Sequence, residues 1–295
     1  MGEFGEIGTL VLIGRRCDEN LLELYGSEVV ETALLFRKRC APFGDEFLGF
    51  LRLNRGVHSG THGLCGRAYQ FYSGGKVDMS YKDRRVLRLK SVDDMFSVLK
   101  DKGRALDTFK KGNTIHVWNK MSKGYSYVLA ENPGEGFASG FRPYATPGEI
   151  LALGAFGGRY LNDCLLEFPA EWFWAAGMLG KLSPQGTDIT LNHFQIDSRL
   201  SLTEWKKYGW VPGGKNNHDV LSDAQKNPDE RGWFQWYCRY WMGRRIPELD
   251  SVQIRRWKAF SRHAGAVEKN CKAGDLECRP RQRQALLHWA WNFEK

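Results

Sequence analysis

Apolar and polar positions alternate with a period of two over residues 114–118 and 125–130, on either side of a turn-like stretch at 119–124. That pattern predicts a half-buried antiparallel hairpin. Earlier in the chain, residues 9–13 read as a strand and 20–39 as a helix, while 68–73 and 76–80 read as strands joined at Gly74-Gly75. A helix is expected over 92–106. Beyond about residue 145 the apolar period lengthens to that of helices. Thr146-Pro147-Gly148-Glu149 combines a capping hydroxyl, a proline in the first turn and a glutamate three residues on, which starts a helix. Ser201 and Glu204 repeat the device, and Pro212-Gly213-Gly214 then breaks the chain into a polar loop running to about Asp229. Further helices are expected near 232–242, 250–269 and 280–292, the last opening on Pro280 and gathering Leu286, Trp289 and Phe293 on one side. The expected fold class is α+β, with a small antiparallel sheet in an N-terminal part, residues 1–145, and a mainly α-helical C-terminal part, residues 146–295.

Composition narrows the class. The 295 residues are 42% hydrophobic and 13% aromatic, enough to bury a large core. No stretch approaches the roughly eighteen apolar residues that span a bilayer, and Glu3 and Glu6 stand where a signal peptide would be basic. A soluble, cytoplasmic protein without membrane contact is expected, with no obligate protein partner evident. Seven cysteines at scattered positions form no disulfide framework and fit a reducing compartment. Cys271 and Cys278, even with His263 and His288, match no zinc or iron–sulfur spacing, and His58, His62 and Cys65 sit in a glycine-rich stretch. Neither a metal nor a cofactor is expected.

Charge points to a partner. The net charge is +9, and fourteen Lys and Arg face only six Asp and Glu between Arg231 and Lys295. An excess confined to one region is an electrostatic footprint for nucleic acid. Residues 231–245 hold six aromatics and four arginines in fifteen positions. On a helix, Arg231, Gln235 and Arg239 form one stripe, with Phe234, Tyr237, Cys238 and Trp241 opposite. Arginine beside aromatic rings can fork onto phosphates and stack on bases, and Arg244 and Arg245 extend the basic run. Such rings are more often core than binding platform, so a core helix is the other reading of the same stretch. Arg279, Arg281 and Arg283 crowd a helix start, opposing the helix dipole at a cost of about 0.5 kcal/mol each, which bound phosphates would offset.

Gly154, Gly157 and Gly158 interrupt an apolar stretch, and Arg159 follows. A glycine hairpin lets backbone N–H groups approach a phosphate, although close chain packing needs small residues too. The hairpin resembles that of helix-hairpin-helix DNA glycosylases, and Ile196-Asp197-Ser198-Arg199-Leu200 resembles their apolar-Asp-Ser/Thr-Arg/His-apolar motif. The resemblance implies a glycosylase-like C-terminal part in which Asp197 stabilises oxocarbenium-like charge on the sugar and positions water. Thirty-nine residues separate Gly158 from Asp197, roughly twice the interval of the family pattern; Arg159 and Tyr160, not lysine, stand just after the hairpin, so a monofunctional hydrolase is implied. The strings at 157–164, 232–240 and 278–287 also resemble those of an uncharacterised family associated with processing of DNA bases, including hypermodified phage bases. That likeness implies a defence role.

Asp163 and Glu167, four apart, compete with Asp197 as the catalytic carboxylate, with Asn162 beside them, although a solvated helix face has the same pattern. Asn192, His193, Phe194 and Tyr237 could hold an extruded base by its edge and face. The expected function is excision of a modified base from double-stranded DNA. The alternative is a non-enzymatic nucleic-acid binder stacking bases on Trp233, Trp236, Tyr237 and Trp241.

Overall fold

A computed structural model describes residues 7–14, 47–54, 87, 89–214 and 219–295. The chain divides into two compact units, 1–77 and 78–295. In the first, strands β1 (Ile7–Gly14) and β2 (Phe47–Asn54) pair antiparallel from Ile7 opposite Asn54 to Gly14 opposite Phe47. β1 contains the expected strand at 9–13. β2 was not anticipated, and the expected helix at 20–39, the strands at 68–80 and the His58, His62, Cys65 group lie outside the described residues.

The second unit opens with helix α1 (Val92–Lys102), capped reciprocally by Ser91 and Asp94. Gly103 ends it four residues short of the expected 106. Strands β3 (Thr114–Trp118) and β4 (Lys123–Val128) form the expected hairpin. Their alternation buries Ile115, Val117 and Tyr127 and leaves Thr114, His116 and Ser126 outside. The Thr146 capping box starts α2 (Pro147–Ala152), as expected. Next comes α3 (Ala170–Met178), which burial on all sides hid from periodicity: Ala170 and the run from Trp172 to Ala176 are all buried. Helices α4 (Leu202–Lys207), α5 (Asp219–Ser222) and α6 (Trp233–Trp241) follow. The single helix expected at 250–269 is two, α7 (Pro247–Ala259) and α8 (Ser261–Asn270), and α9 (Pro280–His288) closes the chain.

The boundary expected near residue 145 falls inside this unit. The Tyr144 N–H donates to the Ala290 carbonyl at 2.7 Å, and the Tyr237 hydroxyl donates to the Ala145 carbonyl at 2.7 Å. Helix α6 is the axis of the core. Trp233, Trp236, Tyr237 and Tyr240 are buried, with Trp236 donating to Asp250 at 2.8 Å and Phe141 standing edge-on to Trp257. These rings are therefore packing, and the stacking platform expected at Trp233, Trp236 and Tyr237 is corrected.

A charged knot lies beneath the hairpin. Arg239, wholly buried, donates from Nε to Glu167 at 2.6 Å and from Nη1 to Asp229 at 2.9 Å. Arg244 forks onto both oxygens of Asp229, and the Tyr127 hydroxyl donates to Glu167 at 3.2 Å. Tyr125 covers the Arg239 guanidinium at 5.1 Å. Two carboxylates and two guanidiniums make a formally neutral cluster, so each charge is compensated where water cannot reach it.

Removing one member leaves its partners buried and unpaired, so Arg239→Ala is expected to lose about 3–5 kcal/mol in urea unfolding; a loss under about 1 kcal/mol would refute the account. Acid should undo the knot as well. Burial alone would raise the Asp229 pKa, but the Arg244 and Arg239 charges and hydrogen bonds hold it below the ordinary carboxylate value. Its contribution is therefore full above a pH of about 4, where the unfolded carboxyl is ionised, and is lost as pH falls below that. Urea midpoints measured across pH should show this loss in the native protein and a weaker one in Arg239→Ala.

Candidate functional site

Between the two capping boxes the chain makes its least regular turns. Gly154, Gly157 and Gly158 have φ of 71°, 62° and 71°, and Phe156 and Leu161 also lie in the left-handed region. The hairpin itself carries one short 3₁₀ segment, Ala155–Gly158, and a second, Asn162–Glu167, kinked at Cys164, follows it in place of an α-helix. The kink sends Asp163 and Glu167 in different directions. Glu167 enters the charged knot, whereas Asp163 reaches an open cleft of about 180 Å³ lined by Leu87, Leu89, Lys90, Lys120, Arg159, Asn162, Asp163 and Pro184.

Asp163 is gripped on one side. Arg231 donates from Nη1 to Oδ1 at 2.7 Å and from Nη2 to Oδ2 at 2.8 Å, and the Lys120 backbone N–H adds a bond to Oδ2 at 3.2 Å. Burial works to raise the Asp163 pKa, but the Arg231 fork and that N–H outweigh it and hold the carboxyl below its ordinary range. It is an anion at neutral pH. A carboxylate has about four lone-pair sites, and the three bonds leave one on Oδ1. Beside it Asn162, 6% exposed, donates from Nδ2 to the Gly158 carbonyl at 3.0 Å, which fixes the amide's orientation. Its Oδ1 is buried and has no hydrogen-bond partner. Lys90, Lys120 and Arg159 give the cleft mouth a positive rim.

The structure thus brings together Asn162, Asp163 and Arg231 and leaves the other candidates apart. Glu167 is 3% exposed and is a counterion within the fold, which corrects its catalytic assignment. Asp197 lies outside the cleft lining, its side chain 48% exposed at 3.9 Å from Arg199. Asn192 staples a loop, accepting from the Gly157 N–H and donating to the Ile196 carbonyl, each at 2.8 Å. His193 packs edge-on to Phe194 and Phe293, and the Phe194 N–H donates to Gln284 at 3.0 Å. Tyr237 is wholly buried. None of these four lines the cleft, so the base pocket expected from them is corrected.

The phosphate contacts expected from the sequence are likewise mostly internal. Gly157 offers no open donor, because its N–H donates to Asn192 Oδ1 at 2.8 Å, and the carbonyls of Gly157 and Gly158 accept from the N–H groups of Asp188 at 3.0 Å and Ser183 at 2.8 Å, which ties residues 183–192 over the hairpin. The small size of the two glycines admits residues 181–192 at close range. Gln235 accepts from the Arg231 N–H at 2.9 Å. Arg239 and Arg244 sit in the knot, and Arg283 is buried with donors on the carbonyls of Asp275, Cys278 and Phe293. Arg245 binds the carbonyls of Tyr240 and Glu135 and lies over the Tyr240 ring at 3.9 Å. A buried guanidinium whose donors are taken by the protein has none for phosphate, and only Arg279 and Arg281 of the expected arginines stay exposed. Cys271 and Cys278, expected as ordinary residues, form a disulfide.

Lys90, Lys120 and Arg159 were not singled out as site residues. The one signal was the basic stretch at 76–90; nothing local relates positions 90, 120 and 159. Among the described residues no helix is long and apolar enough to cross a membrane.

The hairpin account has a direct check. A Cβ on Gly157 would lie 2.6 Å from Thr187 Cγ2 and 2.8 Å from the Asp188 carbonyl oxygen, at a φ that disfavours side chains, whereas one on Gly186 meets nothing within 4 Å. Gly157→Ala should cost about 1–3 kcal/mol in thermal unfolding and Gly186→Ala under about 1. Equal effects would refute the tight crossing. Comparison of the chain with protein-family models, curated proteins and solved structures finds no match.

Proposed function

We propose that the cleft at Asp163 receives an extruded base of DNA and hydrolyses its N-glycosidic bond. The observation that carries this reading is an ionised carboxylate with one acceptor site left, beside the unpartnered Asn162 Oδ1 and under a rim of Lys90, Lys120 and Arg159. The cations suit flanking phosphates, and Asn162 suits the amino or imino N–H of a base edge. In the reaction, the C–N bond to the base breaks as positive charge builds on the sugar. The water oxygen bonds to C1′ and loses a proton to solvent, while the electron pair of the C–N bond stays on the base nitrogen, which takes up a proton from solvent as the base leaves. In this reading Asp163 is the anion that stabilises that charge and orients the water. Substrates carrying bulky modified bases, and with them a role in defence, belong to the same proposal, since an open cleft tolerates size.

A second reading draws on the Arg231 fork, which neutralises Asp163: the cleft binds an anionic group and performs no chemistry. Purified protein should be incubated with plain and glucosylated hydroxymethylcytosine duplexes, then treated with alkali to cleave abasic sites. The hydrolytic reading expects alkali-dependent breaks that fall about 100-fold or more in Asp163→Asn and persist in Asp197→Asn. Binding without breaks on either duplex would overturn it in favour of the anion-binding cleft. Lys120→Ala should weaken binding to both duplexes alike and flatten its salt dependence, because phosphate contacts carry no sequence information.

A further inference from the structure

The rings that expose themselves are not those of α6 but those around α4. Tyr208 is 43% exposed and stacks on Trp210 with centroids 4.8 Å apart; Trp210 meets Trp205 edge-on at 5.5 Å. Leu200 and Leu202, just before, are also exposed. Arg256 of α7 lies among the rings, its guanidinium carbon 5.4 Å from the centroids of Trp205 and Trp289 and 5.3 Å from that of Trp210.

Arg256 differs from every arginine of the knot. It donates from Nη1 to the Gln253 amide oxygen at 2.9 Å, and no carboxylate pairs with it among the described residues. Burial among the rings lowers its pKa to about 10, with no opposing charge to restore it. A cation held partly out of water without an anion is stabilised by any anion that arrives. Lys206 and Lys207 flank the same rings, and Arg255, Lys258 and Arg262 are exposed on α7 and α8. None of these five forms an ion pair among the described residues. Stacked rings with one open face, a guanidinium with donors to spare and flanking lysines are the parts of a platform for single strands.

We propose that this surface, centred on Tyr208, Trp210 and Arg256, binds single-stranded nucleic acid, one base continuing the Tyr208–Trp210 stack and a phosphate taking the donors of Arg256 beside Lys206 and Lys207. It lies apart from the cleft lining, so it stands or falls independently of hydrolysis at Asp163. On a DNA-processing protein it would hold a displaced strand.

The test is fluorescence anisotropy of a labelled oligothymidine 12-mer with the whole protein, over a salt series, with competition by an equal-length duplex and by polyglutamate. Binding to the single strand should fall about tenfold in Tyr208→Ala, a surface change that leaves the circular dichroism and thermal midpoint unaltered. Lys206→Ala with Lys207→Ala should reduce the salt slope by about 1.4, the value for two phosphate contacts on a single strand. Asp163→Asn should leave this binding intact. Undiminished affinity in Tyr208→Ala, or equal competition by polyglutamate, would overturn the proposal, the second outcome meaning a surface selective for charge alone and open to acidic protein partners.

Discussion

Arg239 cannot be solvated, and the fold around it follows from that constraint. A guanidinium with no exposed surface needs carboxylates brought to it, and the chain supplies Glu167 from the kinked segment after the glycine hairpin and Asp229 from the loop before α6. Arg244 shares Asp229, Tyr127 of the hairpin hydrogen-bonds Glu167, and Tyr125 covers the cluster, so a strand pair, a 3₁₀ segment and a helix meet at one charged point. Such a cluster contributes less to net stability than to specificity, since an apolar core of the same shape would also pack. What it specifies is register: shifting α6 by one residue would carry Arg239 away from both carboxylates, leaving Glu167 without a countercharge and Asp229 with Arg244 alone.

The cleft is a consequence of that register. Arg231, in the turn just before α6, and Arg239, within α6, meet Asp163 and Glu167, four apart on the irregular segment. The inner pair closes the core and the outer pair ends at the cleft, where Asp163 stays ionised and Asn162 presents an acceptor. Tight passage of residues 181–192 over Gly157 and Gly158 holds the segment in place. The site thus follows a turn that needs the small size of Gly157 and Gly158, supported by ion pairs that tolerate little displacement.

The excess of positive charge also changes meaning. Four of the arginines that made the C-terminal stretch look like a polyanion surface, at 239, 244, 245 and 283, spend their donors on the protein. Among the described residues, free positive charge lies at the cleft mouth, at Arg279 and Arg281, and around α4 and α7, where Tyr208 is exposed with it. Net charge therefore located the property within the chain without locating the surface.

Local chemistry was legible in the sequence. Thr146 and Ser201 start helices because a hydroxyl and a glutamate three residues on satisfy the same orphan N–H groups wherever they occur, and alternation at 114–118 buries one strand face in any context. Helix α3 was illegible because its burial on every side erases periodicity, and the break at Phe260 because no proline or glycine marks it. Of the site, Asp163 and Asn162 could be named from their residue types and their place after the glycines, but Lys90 and Lys120 could not. The sequence by itself determined the elements, their caps and the stock of charges and rings. Which arginines became core and which rings became surface was decided only by tertiary structure, because burial and pairing depend on residues tens of positions apart.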